Sequence, residues 1–278
     1  MRKTTLKINR FSIGGKISIV FIIALIIMGL FSTYICIYPY DLPSGAPFEP
    51  PNRIHLLGTD DLGMDLFSQI CFGARISLFV GITAALIAGI GGGVLGILAG
   101  YYGGILDKII MRVADIMIVL PDLPMMILFG SFFGPSLKNI IFVLAFFSWT
   151  TPARIVRSKV LSTKNENYIL VAESYGAGFG YLLWKHFIPE ILPILMVTII
   201  KLTSKAIVSE AGLAFLGLGD PTSKSWGLIL NHAINFKGIY FTDYWKWWVV
   251  SPLVAITFLV ISIATISRDL EKILNEKL

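Results

Sequence analysis

The sequence predicts an all-α integral membrane protein with about six transmembrane helices. Hydrophobic residues make up 55% of the chain and charged residues only 14%, and the mean hydropathy is +0.78. A soluble domain of 278 residues could not keep that much apolar surface away from water. The apolar residues are gathered in long runs without the alternation of a barrel strand, so helices are expected to satisfy the backbone in lipid.

Six apolar runs are the predicted spans, because about 20 apolar residues cross a hydrocarbon core of roughly 30 Å. They cover residues 17–37, 76–98, 109–133, 140–149, 192–218 and 248–266. The fourth run reaches spanning length only if its helix continues through residues 150–157. The first is too long for the apolar part of a secretory signal and no small-residue cleavage site follows it, so it predicts an uncleaved anchor.

Lysines and arginines set the predicted orientation, since cytoplasmic loops are enriched in them. With six spans, one side holds about fifteen of these cations and the other about six. The cation-rich side includes both termini, which are therefore expected in the cytoplasm. Its residues are Arg2, Lys3, Lys7, Arg10, Lys16, Lys108, Arg112, Arg154, Arg157, Lys159, Lys164, Lys185, Arg268, Lys272 and Lys277.

These patterns divide the chain into predicted segments. They are a cytoplasmic N-terminus (1–16), a first transmembrane helix (17–38), an extracytoplasmic loop (39–74), a five-helix core (75–269) and a cytoplasmic tail (270–278). Five prolines within residues 39–51 exclude a continuous helix from the start of the loop. Cys36 and Cys71 are both expected near the outer face. They could form a disulfide or remain two buried thiols, and we favour the thiols.

Small residues mark the second span as a packing helix. Gly92, Gly96 and Gly100 recur at four-residue spacing, and Gly89 and Gly93 form an adjoining stripe. Glycines on one helical face let neighbouring backbones approach closely inside lipid. We therefore predict close helix–helix contacts along this span.

The segment between the fourth and fifth spans, residues 154–189, is cytoplasmic by the charge pattern and yet rich in apolar residues. Its glycines at 176, 178 and 180 divide two apolar stretches, which predicts two short amphipathic helices. Their apolar faces need a partner, and composition alone leaves lipid headgroups, the bundle and another protein open.

This segment resembles the cytoplasmic loop of bacterial binding-protein-dependent permeases. That loop carries Glu-Ala-Ala, then a glycine after three residues, and closes on an aliphatic–proline pair. Gly176, Ala177 and the pair Ile188-Pro189 match it, and His186 matches the peptide branch. The glutamate is absent, because Leu170, Val171 and Ala172 occupy the Glu-Ala-Ala positions, with Glu173 beside them.

Further stretches resemble the peptide and nickel branch of the same family. Residues 55–65 (HLLGTDDLGMD) match its His-x-Leu-Gly-Thr-Asp-x-x-Gly-Arg-Asp pattern except that Met64 replaces the arginine. Residues 73–78, residues 210–219 with Ser225-Trp226-Gly227, and Asp115 with Pro121 continue the likeness, so that it covers residues 54–269 in order.

The resemblance implies the type I permease fold and one half of the translocation pathway of an ATP-driven importer. Its expected partners are a second permease, two ATP-binding subunits and an extracytoplasmic solute-binding protein, in a bacterial or archaeal plasma membrane. The cytoplasmic loop, residues 159–189, is expected to dock on the ATPase. The cargo stays open among dipeptides, oligopeptides, nickel and metal chelates.

No catalytic residue, metal site or bound cofactor is predicted for this chain. The sequence has no Walker loop, no Gly-x-Ser-x-Gly and no His-Glu-x-x-His. If transport uses ATP and Mg²⁺, a partner chain is expected to bind them. An intramembrane enzyme is thereby disfavoured. A basic face on a soluble domain, which nucleic-acid binding would require, is not available either.

Charged residues inside the predicted spans are costly and commonly face a bundle interior or water. For Lys201 and Lys205 we favour side chains that reach the cytoplasmic interface. Glu210 stays open between a structural hydrogen bond and a gate contact, and Asp115 and Asp122 carry the same ambiguity. A self-sufficient ion-coupled carrier is the alternative function, with Glu210 and Asp115 as coupling sites. The short chain and the absence of a visible inverted repeat argue against it.

Overall fold

The computed structural model describes residues 11–275, and within that range all regular secondary structure is helical. The predicted segments 1–16 and 270–278 therefore lie partly outside the described residues. The helices are α1 (Ile13–Leu30), α2 (Ser32–Ile35), α3 (Leu66–Tyr102), α4 (Gly104–Val119), α5 (Asp122–Phe133), α6 (Leu137–Ser148), α7 (Thr150–Lys164), α8 (Asn167–Ser174), α9 (Phe179–Leu182), α10 (Ile188–Phe215), α11 (Trp226–Asn235), α12 (Trp245–Trp248) and α13 (Val250–Asn275).

Four helical stretches of the described chain are long and apolar enough to cross a membrane, and two bent pairs raise the number to six. The single stretches are Ile13–Leu30, Leu66–Tyr102, Phe179–Phe215 and Trp245–Leu274. The pairs are α4 with α5 and α6 with α7, bent by 96° and 40°. The fourth span continues past Thr150, as its length required.

The predicted span over residues 109–133 is bent rather than one continuous helix, because the helix breaks between α4 and α5. Leu120 has an extended backbone with ψ 135°, and Pro121 follows it at the start of α5. A residue before proline is pushed out of the helical region, and proline has no N–H to donate to the preceding turn.

The outer loop is shorter than the predicted residues 39–74, and the first span ends before residue 38. Helix α1 ends at Leu30, and the short α2 carries the chain to Ile35. Helix α3 begins at Leu66 because Asp65 caps it, with the Asp65 carboxylate accepting from the N–H of Ser68 at 2.8 Å. The thiols of Cys36, partly buried, and Cys71, buried, are both free.

Helix α3 is the centre of the bundle, and two neighbours approach it along its glycines. A Cβ atom added at Gly92, Gly96 or Gly100 would lie within 2.8 Å of atoms of Trp149, Ala153 or Val160, on the α6–α7 side. Gly89 and Gly93 instead face Ile199 and Leu195 of α10. The two glycine stripes therefore serve two different neighbouring helices.

The two described ends of the chain lie at the same end of the bundle. The N–H and the hydroxyl of Ser12, which caps α1, both donate to the Asp269 carboxylate of α13, at 2.9 and 2.6 Å. Helix α1 packs along α13, with Phe21 and Phe258 in contact at 6.0 Å between ring centroids. This arrangement agrees with an even number of crossings.

Candidate functional site

The short helix α8 lies between α7 and the helical stretch that begins at Phe179. It ends at Gly176, which adopts φ +86°, a left-handed conformation that favours glycine. The N–H of Gly176 donates to the Glu173 carbonyl at 2.9 Å, and the N–H of Ala177 donates to the Ala172 carbonyl at 3.0 Å. Gly176 thus terminates α8, as expected for the first of the glycines that divide the two apolar stretches.

The two faces of α8 differ in exposure. Ile169 is fully buried with Val160 of α7 and Phe187, and Ala172 and Ala177 pack against the same cluster. Leu170 and Val171 point away from this cluster and are 48% and 55% exposed. The described residues 11–275 therefore leave an apolar patch uncovered on the side of α8 that faces away from this cluster.

The carboxylate of Glu190 holds α8 in place. The Tyr168 hydroxyl donates to Glu190 at 2.6 Å, and the Thr163 hydroxyl donates at 3.0 Å. The Lys159 ammonium lies 2.8 Å from the same carboxylate. Partial burial, together with the Glu190 carboxylate, raises the pKa of the Tyr168 hydroxyl, so it remains a donor at neutral pH. One side chain therefore joins α7, α8 and α10.

The second short helix is not separate, as predicted, but continuous with the long helix. Phe179–Leu182 passes through a π-helical turn, Leu183–Phe187, into α10, which carries a proline at its first turn. Ile188 and Pro189 therefore lie inside this long helix rather than at the end of a loop. The continuous connection was not predicted because Gly178 and Gly180 suggested an interruption in the helix.

The predicted pathway residues Glu210 and Asp115 lie apart. Glu210 is buried in the bundle interior, where the Ser77 hydroxyl of α3 lies 3.5 Å from its carboxylate. The backbone N–H of Trp226 donates to Ser77 at 3.4 Å, so α11 joins this contact. Asp115 is half exposed and forms an ion pair with Arg154 of α7.

The lysines of α10 form intramolecular ion pairs, and their side chains are 53% (Lys201) and 47% (Lys205) exposed. The expectation that these side chains reach the cytoplasmic interface stays a prediction. Lys201 pairs with Glu271 of α13, and Lys205 pairs with Asp122 at the start of α5. A further pair joins Arg157 of α7 to Asp107 of α4. The sequence offered the charges but not their partners, because each pair joins helices distant in the chain.

The outer loop is folded on the bundle by the residues of the 55–65 stretch. The buried His55 ring contacts the Asp65 carboxylate at 2.9 Å, and the same carboxylate caps α3. The Asp60 carboxylate accepts from the Gln69 amide at 2.6 Å, and Trp247 donates to the Thr59 carbonyl at 3.2 Å. Among residues 11–275, no group of three or more His, Cys, Asp or Glu side chains is arranged to hold a metal ion.

Comparison with known proteins identifies the family of this chain. Residues 92–278 match the family model described as binding-protein-dependent transport system inner membrane component. The chain belongs to this family. It is the permease subunit of a binding-protein-dependent ABC importer, with the type I permease fold and several membrane-crossing helices.

Relatives of the permease cover between 77% and 95% of its length. It is 34% identical over 266 residues to the oligopeptide transport system permease protein OppC of Bacillus subtilis, spanning 95% of this chain and 86% of that protein. It is 34% identical over 275 residues to the dipeptide permease DppC of Haemophilus influenzae, spanning 95% and 91%. The glutathione permease GsiD of Pectobacterium atrosepticum is 36% identical over 218 residues, which are 77% of this chain and 72% of that protein. Nothing in these comparisons favours a self-sufficient ion-coupled carrier.

Proposed function

We propose that this permease forms half of the translocation pathway of an ATP-driven importer of short peptides in a bacterial or archaeal plasma membrane. The substrate class is supported by the names of the relatives, which are described as permeases for oligopeptides, dipeptides and glutathione. Glutathione is itself a small peptide, so one substrate class accounts for all three names. Nickel and metal chelates remain competitors to be tested.

The proposed assembly contains a second homologous permease, two ATP-binding subunits and an extracytoplasmic solute-binding protein. ATP and Mg²⁺ bind to the ATP-binding subunits, and this chain contributes no cofactor and no hydrolysis. The exposed patch of α8, formed by Leu170 and Val171 with Tyr175 beside them, supports docking of this helix on an ATP-binding subunit. The coupling segment, which is the part of the chain proposed to transmit motion from the ATPase, also includes Glu173, Gly176 and Ala177. Their backbone hydrogen bonds form the end of α8.

Co-purification from the native membrane tests the assembly. The tagged permease, solubilised in mild detergent, is expected to carry a second permease and a Walker-type ATPase. Val171→Arg places a cation on the proposed docking patch and should reduce recovery of the ATPase. Leu42→Arg adds the same charge at a 56% exposed residue of the outer loop and should leave recovery unchanged. Equal recovery with both variants would remove α8 from the docking role.

Uptake by the purified assembly in proteoliposomes tests the cargo. With the solute-binding protein present, a labelled dipeptide should accumulate in an ATP-dependent way, and unlabelled peptide should compete. Competition by nickel but not by peptide would assign a metal cargo instead. Accumulation by this chain alone in a proton gradient would overturn the importer assignment altogether.

A further inference from the structure

We propose that one face of α10 lines the water-filled pathway and that its Lys205–Asp122 ion pair exchanges partners with the two opposite charges of a passing substrate. The proposal rests on the proposed function for the nature of that substrate, a peptide with a free ammonium and a free carboxylate. The location of the face rests on the structure alone.

The face is a stripe of partly exposed residues, on which the rest of the described chain reaches Lys201 and Lys205 through their ion pairs with Glu271 and Asp122. Lys201, Lys205, Val208 and Gly212 recur at intervals of three or four residues, which places them on one side of α10, and Leu216 continues the spacing just past its end. Val208 and Leu216 are 49% and 51% exposed. A Cβ atom added at Gly212 would meet nothing within 4 Å.

The charges on this stripe exclude a lipid environment. The Lys205 side chain is 47% exposed and the Asp122 side chain 40% exposed, although each belongs to a membrane-crossing stretch. An ammonium has three donors, and those not directed at Asp122 need water or another polar group. Hydrocarbon offers neither, so this face is expected to meet an aqueous pathway.

Other exposed surfaces of the bundle show the contrast. Helix α13 exposes Leu253, Phe258 and Ile261, and α1 exposes Val20 and Ile23. These apolar side chains suit lipid or a dry protein contact. The ion pair therefore distinguishes the pathway side of α10 from the apolar surfaces of α1 and α13.

The position of the pair suits an exchange of partners. Asp122 is the first residue of α5, directly after the 96° break, so the helix start also favours its negative charge. Lys205 comes from the middle of α10. While no substrate is present, each charge neutralises the other. When a zwitterionic substrate enters, its carboxylate can pair with the ammonium of Lys205. Its own ammonium can pair with the carboxylate of Asp122, so neither protein charge is left uncompensated in the membrane.

Cysteine accessibility tests the location without reference to any cargo. In the assembled importer, with Cys36 and Cys71 replaced by alanine, single cysteines are introduced as Val208→Cys and Ile261→Cys. A charged, membrane-impermeant thiol reagent should modify Val208→Cys in at least one nucleotide state and spare Ile261→Cys. Absence of modification at Val208→Cys in every state, with normal assembly, would overturn the proposal.

Uptake by charge variants tests the exchange. Lys205→Met should lower peptide uptake by about tenfold or more, because it leaves Asp122 uncompensated. The double variant Lys205→Asp with Asp122→Lys restores a pair of opposite charges and should recover most of the rate. Lys246→Met removes one partner of an exposed ion pair between α12 and Asp243 and serves as the control with unchanged uptake.

The outcomes separate the two proposals. Wild-type uptake by Lys205→Met, or failure of the swapped pair to recover any uptake in a normally assembled complex, would overturn the exchange. If the unmodified importer carries no peptide, the proposed function fails, whereas the accessibility result still decides whether this face lines a pathway.

Discussion

The hydroxyl of Tyr168 donates a 2.6 Å hydrogen bond to the carboxylate of Glu190. Tyr168 belongs to α8 and Glu190 to the first turn of α10, so this contact joins the proposed docking helix to the helix that carries the pathway stripe. Thr163 and Lys159 of α7 reach the same carboxylate. A displacement of α8 by the ATPase is therefore expected to move α10 and α7 with it.

Tyr168→Phe removes the donor and keeps the ring. The lost hydrogen bond should weaken the attachment of α8 by about 1 kcal/mol, and the amount of substrate carried per ATP hydrolysed should fall. Parallel measurement of uptake and phosphate release in proteoliposomes gives this ratio. Tyr34→Phe is the control, because Tyr34 belongs to α2 and its side chain is 87% exposed. An unchanged ratio in Tyr168→Phe would show that the contact does not transmit the motion.

Gly176→Ala should impair coupling through the backbone rather than through bulk. A Cβ at this position would meet nothing within 4 Å, but φ is +86°, and a left-handed alanine costs about 1 to 2 kcal/mol. Recovery of the ATPase with the variant, compared with Gly178→Ala, is the measurement. Gly178 has equally open space and an ordinary φ of −81°, so its alanine variant should behave as wild type. Equal recovery would show that the end of α8 tolerates the strain.

Gly96→Val should destabilise the bundle, because its Cβ would lie 2.4 Å from the Ala153 carbonyl oxygen and 2.9 Å from Cβ of Val156. Forced separation of α3 and α7 is expected to cost about 1 to 3 kcal/mol. Thermal unfolding in detergent measures the loss. Gly91→Ala, on a face of α3 where a Cβ meets nothing within 4 Å, should retain wild-type stability. Identical melting of both variants would contradict the packing assigned to α3.

Asp220 should make stability depend on pH at the outer end of α6. Burial opposes its ionisation, but hydrogen bonds from the hydroxyl and N–H of Thr222 and from the N–H of Leu137 outweigh it and lower the pKa of Asp220. A lowered folded-state pKa means that the stabilisation is present above the ordinary aspartate range of about 4 and is lost as pH falls through the lower value.

Melting temperatures of wild type and Asp220→Asn, measured from neutral pH downward, test this. Wild type should be the more stable above pH of about 4, and the difference should shrink as the solution becomes more acidic. Thr222→Val removes one donor and should move the loss to higher pH. A constant difference at every pH would show that the Asp220 charge does not stabilise the fold.

The class of fold and the family could be predicted from the sequence, because both depend on local patterns. Apolar runs of spanning length predicted about six helices, and the 55–65, 170–189 and 210–219 stretches indicated the permease family. The prediction of a span over 109–133 did not include its bend, because a run of apolar residues shows length but not direction. Pro121 was visible, but the 96° angle depends on what α4 and α5 pack against.

The candidate site was only half predictable for the same reason. Gly176 stood out by its spacing, whereas Glu190 and Tyr168 are unremarkable residues until the chain folds and brings them to 2.6 Å. Lys205 attracted notice as a charge inside a span, yet nothing in the sequence named Asp122, 83 residues away, as its partner.

By itself the sequence determined that this chain is a multi-pass membrane protein and which family it belongs to, since hydropathy and short motifs depend on residues close together in the chain. The tertiary structure alone decided which charges neutralise one another, which glycines face which helix, and which side of α10 stays open. Those outcomes depend on contacts between helices that are distant in the chain. A buried charge without a partner, or a poorly packed contact, has a high free energy, so the fold forms where charges are paired and helices are packed.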